Sequence, residues 1–120
     1  NPTIGVDIEK AKANGQDLCI WDLAGQRRFQ FMWPEFLKGA SLSIFVTDSS
    51  PENVQQTKEL IERYQNMTSS KVIAIANKQD MTGRMAPDQI QKILGVNTYG
   101  FVGVDIQNKN RLQQILERNI

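Results

Sequence analysis

Two short apolar runs, residues 41–47 (Leu42, Ile44, Phe45, Val46) and 71–76 (Val72, Ile73, Ile75), separated by an amphipathic stretch, narrow the fold more than any other feature of this chain. Runs of this length and β-branched content are strands buried on both faces, and such strands joined through a helix make a parallel sheet with helices packed on it. The connecting stretch supports this. Pro51-Glu52 reads as a first helical turn behind a Ser49 or Ser50 cap, and Val54, Leu60, Ile61 and Tyr64 recur at helical spacing. Residues 87–94 and 111–120 read as two further helices, the first closed by Gly95. Residues 100–105 make a weaker third strand. At the start, residues 5–12 alternate apolar and polar (Val6, Ile8), Asn14-Gly15 is a hairpin-turn signal, and residues 17–21 return as an apolar strand. This hairpin, about residues 5–21, is the one antiparallel pair expected in an otherwise parallel α/β sheet.

The chain has 120 residues, 40% of them hydrophobic, which suits a single domain over residues 1–120. Fourteen basic residues against 13 acidic give a formal charge of +1, with no long run of either sign. No nucleic-acid partner or anionic membrane surface is therefore expected. The only cysteine, Cys19, lies in an apolar run and reads as a small buried hydrophobe, consistent with a reducing, cytoplasmic setting. No stretch approaches the roughly 20 apolar residues that span a bilayer, and the C-terminus carries no lipidation cysteine. Peripheral membrane contact is expected only through segments outside this sequence.

A doubly wound sheet places ligands at the carboxyl ends of its strands, so residues just past each strand are the candidates for chemistry. Asp22-Leu23-Ala24-Gly25-Gln26 follows one strand and Asn77-Lys78-Gln79-Asp80 follows another. Singly, each has a plain structural reading: Asp22 as a turn cap, Gly25 as permissive backbone, Asn77 and Asp80 as turn formers. Jointly, in this order and with Pro2-Thr3-Ile4-Gly5 ahead of the hairpin, they form a constellation.

At these residues the chain resembles the Ras superfamily of small GTPases over nearly its whole length. Pro2-Thr3-Ile4-Gly5 is similar to the end of that family's first switch, Trp21 to Gln26 to its second switch, and Asn77 to Asp80 to its guanine-recognition motif. Ala24, Gly25-Gln26 and Arg28-Phe29 are similar to Ras and Rab proteins, whereas Ala76 to Asp80 and the helix beginning at Pro87 are closer to Arf-like proteins, so the subfamily stays open.

The resemblance implies a switch that binds GTP and GDP with Mg²⁺ and hydrolyses GTP, working in trafficking or signalling with effector proteins, an exchange factor and a GTPase-activating protein. Thr3 would ligate Mg²⁺ and Asp22 would hold a water of its octahedral shell. Gly25 would offer its backbone N–H to the γ-phosphate, and Gln26 would orient the attacking water, its amide accepting and donating at once. Asp80 would accept two parallel hydrogen bonds from N1–H and the exocyclic amine of guanine, donors that adenine lacks. Asn77 would brace the loop and bond the base, and the stem of Lys78 would cover its face, against the alternative of a solvated charge. After the last strand, at Asp105-Ile106-Gln107, only the backbone N–H of Ile106 would reach the base, and Asp105 has a turn-capping reading of equal weight. Phe29, Phe31, Met32, Trp33 and Phe36 either pack beneath the second switch or present an apolar effector surface, for which Phe29 and Trp33 are the candidates. Asp48, which also ends a strand, is expected to be structural.

The chain departs from the family at one point. Gly-x-x-x-x-Gly-Lys-Ser/Thr occurs nowhere in it, and in the family that loop, its strand and the following helix precede the first switch. With no initiator methionine the chain looks like a fragment, expected to be poorly stable and to bind nucleotide poorly. The strand at the middle of the family's sheet would be missing, leaving residues 19–21 and 42–46 without a neighbour. A nucleotide-free interaction module is the competing reading. An aspartate-phosphorylated receiver domain would need an acidic pair after its first strand, and there is none.

Overall fold

The computed structural model describes residues 7–13, 15–23, 41–66, 70–102, 114, 115 and 117–119. Among these residues five strands, β1 (Asp7–Ala13), β2 (Gln16–Asp22), β3 (Leu42–Thr47), β4 (Lys71–Ala76) and β5 (Thr98–Gly100), form one sheet in the order β1-β2-β3-β4-β5. The pair β1–β2 is antiparallel and every later pair is parallel. The hairpin register joins Ala13 to Gln16, leaving two residues between the strands, and Gly15 takes φ 76°, the left-handed backbone that such turns demand. The expected architecture of a mostly parallel sheet with one leading hairpin is what the chain builds.

Two helices lie between the later strands, α1 (Pro51–Gln65) and α2 (Pro87–Leu94). Ser50 caps α1, its Oγ accepting from Asn53 N, and Val54, Thr57, Leu60, Ile61 and Tyr64 are its buried stripe. Pro87 opens α2 and Gly95, at φ 72°, closes it, so local chemistry alone sets both ends. Both helices cover the same face of the sheet. Their buried residues join Cys19, Trp21, Phe45 and Ala74 in one core, where Trp21 stacks on Phe45 at 5.0 Å with Tyr64 tilted against both. On the opposite face Leu18, Ile20, Leu42, Ile44, Val46, Ile73 and Ile75 pack with Phe101 and with Ile115 of a C-terminal helical segment. All six residues of β3 are buried, as a strand covered on both faces requires.

Three expectations are corrected. Residues 19–21 and 42–46 do have neighbours: they pair with each other, Leu18 with Leu42, Cys19 with Ser43, Ile20 with Ile44 and Trp21 with Phe45. The pairing works because both strands carry apolar side chains on both faces, so direct contact in this register leaves no apolar face bare. Secondly, the strand order follows the chain without reversal, so the described strands contain no topological switch point of the doubly wound kind. Thirdly, the final strand among the described residues is Thr98–Gly100, which overlaps the expected 100–105 only at Gly100; beyond it Phe101 N donates to Ala76 O and Phe101 O accepts from Gln79 N. Residues 103–105 lie outside the described residues.

Among the described residues no helix is long and apolar enough to cross a membrane. Cys19 is fully buried, and burial pushes its thiol up to about 12, against a smaller opposing pull from the charge of Lys10, its cross-strand partner. It is a core thiol with no reactive thiolate at neutral pH.

Candidate functional site

The carboxyl ends of β2, β3, β4 and β5 share one edge of the sheet, and side chains from α1 and the β3 exit tie these ends together. Asp22, half-buried, is the last residue of β2. Leu23 follows it and is clamped: its N–H donates to Val46 O (2.8 Å) and its carbonyl accepts from Asn53 Nδ2 (2.7 Å). The other end of that amide, Asn53 Oδ1, accepts from Thr47 Oγ1 (2.6 Å) and Asp48 N (3.0 Å). Asn53 is thus a single side chain that fixes the exits of β2 and β3 to the first turn of α1. Asp48 is structural, as expected, accepting from Ser50 N (2.8 Å) and Ser50 Oγ (2.6 Å).

The β4 exit is the base-recognition segment of the sequence reading. Asn77 is buried, its N–H donating to Thr47 O (2.9 Å) and its carbonyl accepting from Ser49 Oγ (2.7 Å). Lys78 is half-buried with φ 61°, and its carbonyl accepts from Met81 N (3.0 Å). Gln79 donates from its backbone to Phe101 O (3.1 Å) and from Nε2 to Ser49 Oγ (2.8 Å) and Met85 O (3.0 Å). Asp80 is exposed. The segment therefore presents an inward asparagine and an outward carboxylate from a braced turn, an arrangement suited to reading a planar donor pair at the surface while the loop beneath stays fixed.

Of the sequence-predicted site residues, the structure places Asp22, Asn77, Lys78 and Asp80 on this common edge, with β3 between Asp22 and the other three. Thr3, Gly25, Gln26, Phe29, Trp33 and Ile106 lie outside the described residues. Sequence reading missed Ser49, Asn53 and Gln79 as the braces. For Asn53 a signal existed, since asparagine is a weak helix former whose side chain favours backbone bonding near helix starts. Ser49 and Gln79 gave none, because their partners come from other elements.

Among the described residues no three metal-ligating side chains cluster. Mg²⁺ does not need such a cage, since it keeps several waters and takes one or two carboxylates together with phosphate oxygens. Asp22, a hard oxygen donor at the strand end, fits that mode.

Fold and edge together define an α/β protein with Asp22, Asn77, Lys78 and Asp80 gathered on the rim at its strand ends. A sequence model of the ADP-ribosylation factor family matches residues 1–118, and the chain belongs to that family. It is 30% identical over 101 residues to ADP-ribosylation factor J and 31% identical over 103 residues to ADP-ribosylation factor F, both of Dictyostelium discoideum. It is 29% identical over 102 residues to ADP-ribosylation factor-like protein 5 of Caenorhabditis elegans. Each alignment covers 81% of this chain and 54%, 54% and 57% of the respective relative, so the chain spans about half the length of the relatives it matches. Of the two subfamily resemblances in the sequence, the Arf-like one is the family found.

Proposed function

We propose that this chain is the base-reading and switch portion of a guanine-nucleotide-binding switch which, as a complete protein, hydrolyses GTP to GDP and phosphate. The observation that carries the reading is the shared edge: Asp22 at one strand end and Asn77, Lys78 and Asp80 at another, from a family whose model spans the chain. Asp80 accepts from N1–H and the exocyclic amine of guanine, Asn77 braces the loop and bonds the base, the stem of Lys78 covers the ring, and the N–H of Ile106 adds a contact. Thr3 and Asp22 would hold Mg²⁺, the latter through water, and the chemistry supplied there would be charge neutralisation at the phosphates. Gly25 donates to the γ-phosphate, and Gln26 aligns the attacking water. Phe29 and Trp33 offer an apolar surface to effectors, while an exchange factor and a GTPase-activating protein govern the two nucleotide states in trafficking or signalling. The setting is cytoplasmic, with peripheral membrane contact through other segments.

The 120 residues contain no glycine-rich phosphate loop, so nucleotide binding by this chain is expected to be weak. Titration with fluorescent GDP in Mg²⁺ buffer, competed with GTP and ATP, tests the reading: displacement by ATP as effective as by GTP would sink it. In a protein completed with a phosphate-binding loop, Gln26→Leu is expected to slow hydrolysis at least a hundredfold, on the scale of a lost positioning group, while sparing nucleotide affinity. Unchanged turnover removes Gln26 from the mechanism.

A second reading, a nucleotide-free interaction module, is favoured by one observation, the direct pairing of β2 with β3. Strands so joined leave no place between them for a strand that would deliver a phosphate loop. Complete absence of guanine-nucleotide binding, even after such a loop is supplied, would select this second reading.

A further inference from the structure

Among the described residues only two non-glycines have left-handed backbone, Ser49 at φ 69° and Lys78 at φ 61°. Residues with a Cβ avoid this region unless their surroundings over-determine it, and such backbone gathers at functional sites. The two residues lie just past neighbouring strands, β3 and β4, and one network joins them. Ser49 is fully buried and uses every polar atom it has: its N–H donates to Thr47 Oγ1 (3.2 Å), its carbonyl accepts from Met85 N (2.8 Å), and its Oγ donates to Asn77 O (2.7 Å) while accepting from Gln79 Nε2 (2.8 Å). Gln79 Nε2 gives its second proton to Met85 O (3.0 Å). Lys78 is therefore held between two anchored neighbours, and Met85, at the far end of the same loop, is tied to the same point.

We propose that Ser49 and Gln79 form a clasp that positions the base-reading segment, so that Asp80 leaves it with its carboxylate aimed for two hydrogen bonds. The proposal rests on the assignment of residues 77–80 to guanine recognition. It gives a role to Gln79, the one residue of the motif to which the family resemblance assigns none. It also explains why a serine is tolerated in strained backbone: only a hydroxyl there donates to one end of the loop and accepts from its middle. Neither residue touches the base; both act through Asp80 and Lys78.

The test compares GDP with IDP, whose base lacks the exocyclic amine, by following amide shifts of the chain in NMR titrations, which tolerate weak binding. The wild-type chain is expected to prefer GDP, and Ser49→Ala to reduce that preference roughly tenfold, the equivalent of one well-placed hydrogen bond. A merely structural loss would weaken both nucleotides alike and leave the ratio intact, which would overturn the proposal. Ser49→Gly relieves the backbone but removes the hydroxyl, and it is expected to behave as Ser49→Ala; a wild-type ratio in this variant would show that strain alone mattered. Gln79→Leu, which retains the buried hydroxyl, is the second variant should Ser49 prove necessary for folding. Without nucleotide, amides of residues 78–85 are expected to exchange at least tenfold faster in the variants while those of β4 and α2 hold their rates. Unchanged exchange overturns the clasp. A wild-type chain indifferent to GDP and IDP would instead refute the assignment of residues 77–80, a distinct outcome.

Discussion

At the scale of single residues, Gly100 has the narrowest tolerance. A Cβ placed there would sit 2.8 Å from Pro87 Cγ, part of a ring that cannot swing aside as a long side chain does. Replacing glycine with alanine generally stabilises by about 0.4–1 kcal/mol through the unfolded chain. Overpacking against a fixed ring costs about 1–3 kcal/mol, so the clash wins. Gly100→Ala is expected to lower the urea midpoint without changing the slope; an unchanged midpoint would mean that β5 and α2 separate readily. Nothing local in the sequence marks this glycine, because its constraint comes from a proline 13 positions earlier.

At the scale of elements, the first turn of α1 does more than start a helix. Ser50 is an ordinary cap, and Ser50→Ala is expected to cost about 1 kcal/mol. Asn53→Ala strips partners from Leu23 O, Thr47 Oγ1 and Asp48 N together, with an expected loss of about 2–4 kcal/mol in chemical denaturation. A loss for Asn53→Ala no larger than that for Ser50→Ala would show that the bonds to β2 and β3 together add no more than a single cap does. The elements themselves were largely legible. The ends of α2 were set by Pro87 and Gly95, the stripe of α1 by helical period, and the hairpin by Asn14-Gly15 between an alternating run and an apolar one, all signals within a few residues of each other. Of the candidate site, the common placement of Asp22, Asn77, Lys78 and Asp80 on one edge was readable because strand ends and motif order sufficed. The bracing by Ser49 and Gln79 was not, since it depends on which side chains meet after packing, and Asn53 left only the trace of an asparagine near a helix start.

At the scale of the molecule, the seam between β2 and β3 is the feature that sequence could not supply, because lateral strand order leaves no local trace. It is open to a direct check with the native thiol. Cys19 and Ser43 are register partners on the same face of adjacent parallel strands, with Cα atoms about 4.8 Å apart by normal strand spacing. That lies within disulfide reach, whereas an intervening strand would separate them by about 10 Å. Ser43→Cys is therefore expected to give an intramolecular disulfide with Cys19 on oxidation, seen as the loss of two free thiols. The reaction should be slow at neutral pH, because the Cys19 thiol is pushed up to about 12, and its completion is the readout. Two persistently titratable thiols in the folded variant would refute the seam.

The sheet's order has one more consequence, which concerns how the molecule is made. In the order β1-β2-β3-β4-β5 each strand after the first pairs with the strand just before it in the chain. As the chain leaves a ribosome, every new strand meets a partner that has already emerged, and none of the described strands must wait for a later one to fill its place. Such a sheet grows from one open edge at a time, keeping loop-closure distances short and limiting the exposed strand edges that invite aggregation before synthesis is complete.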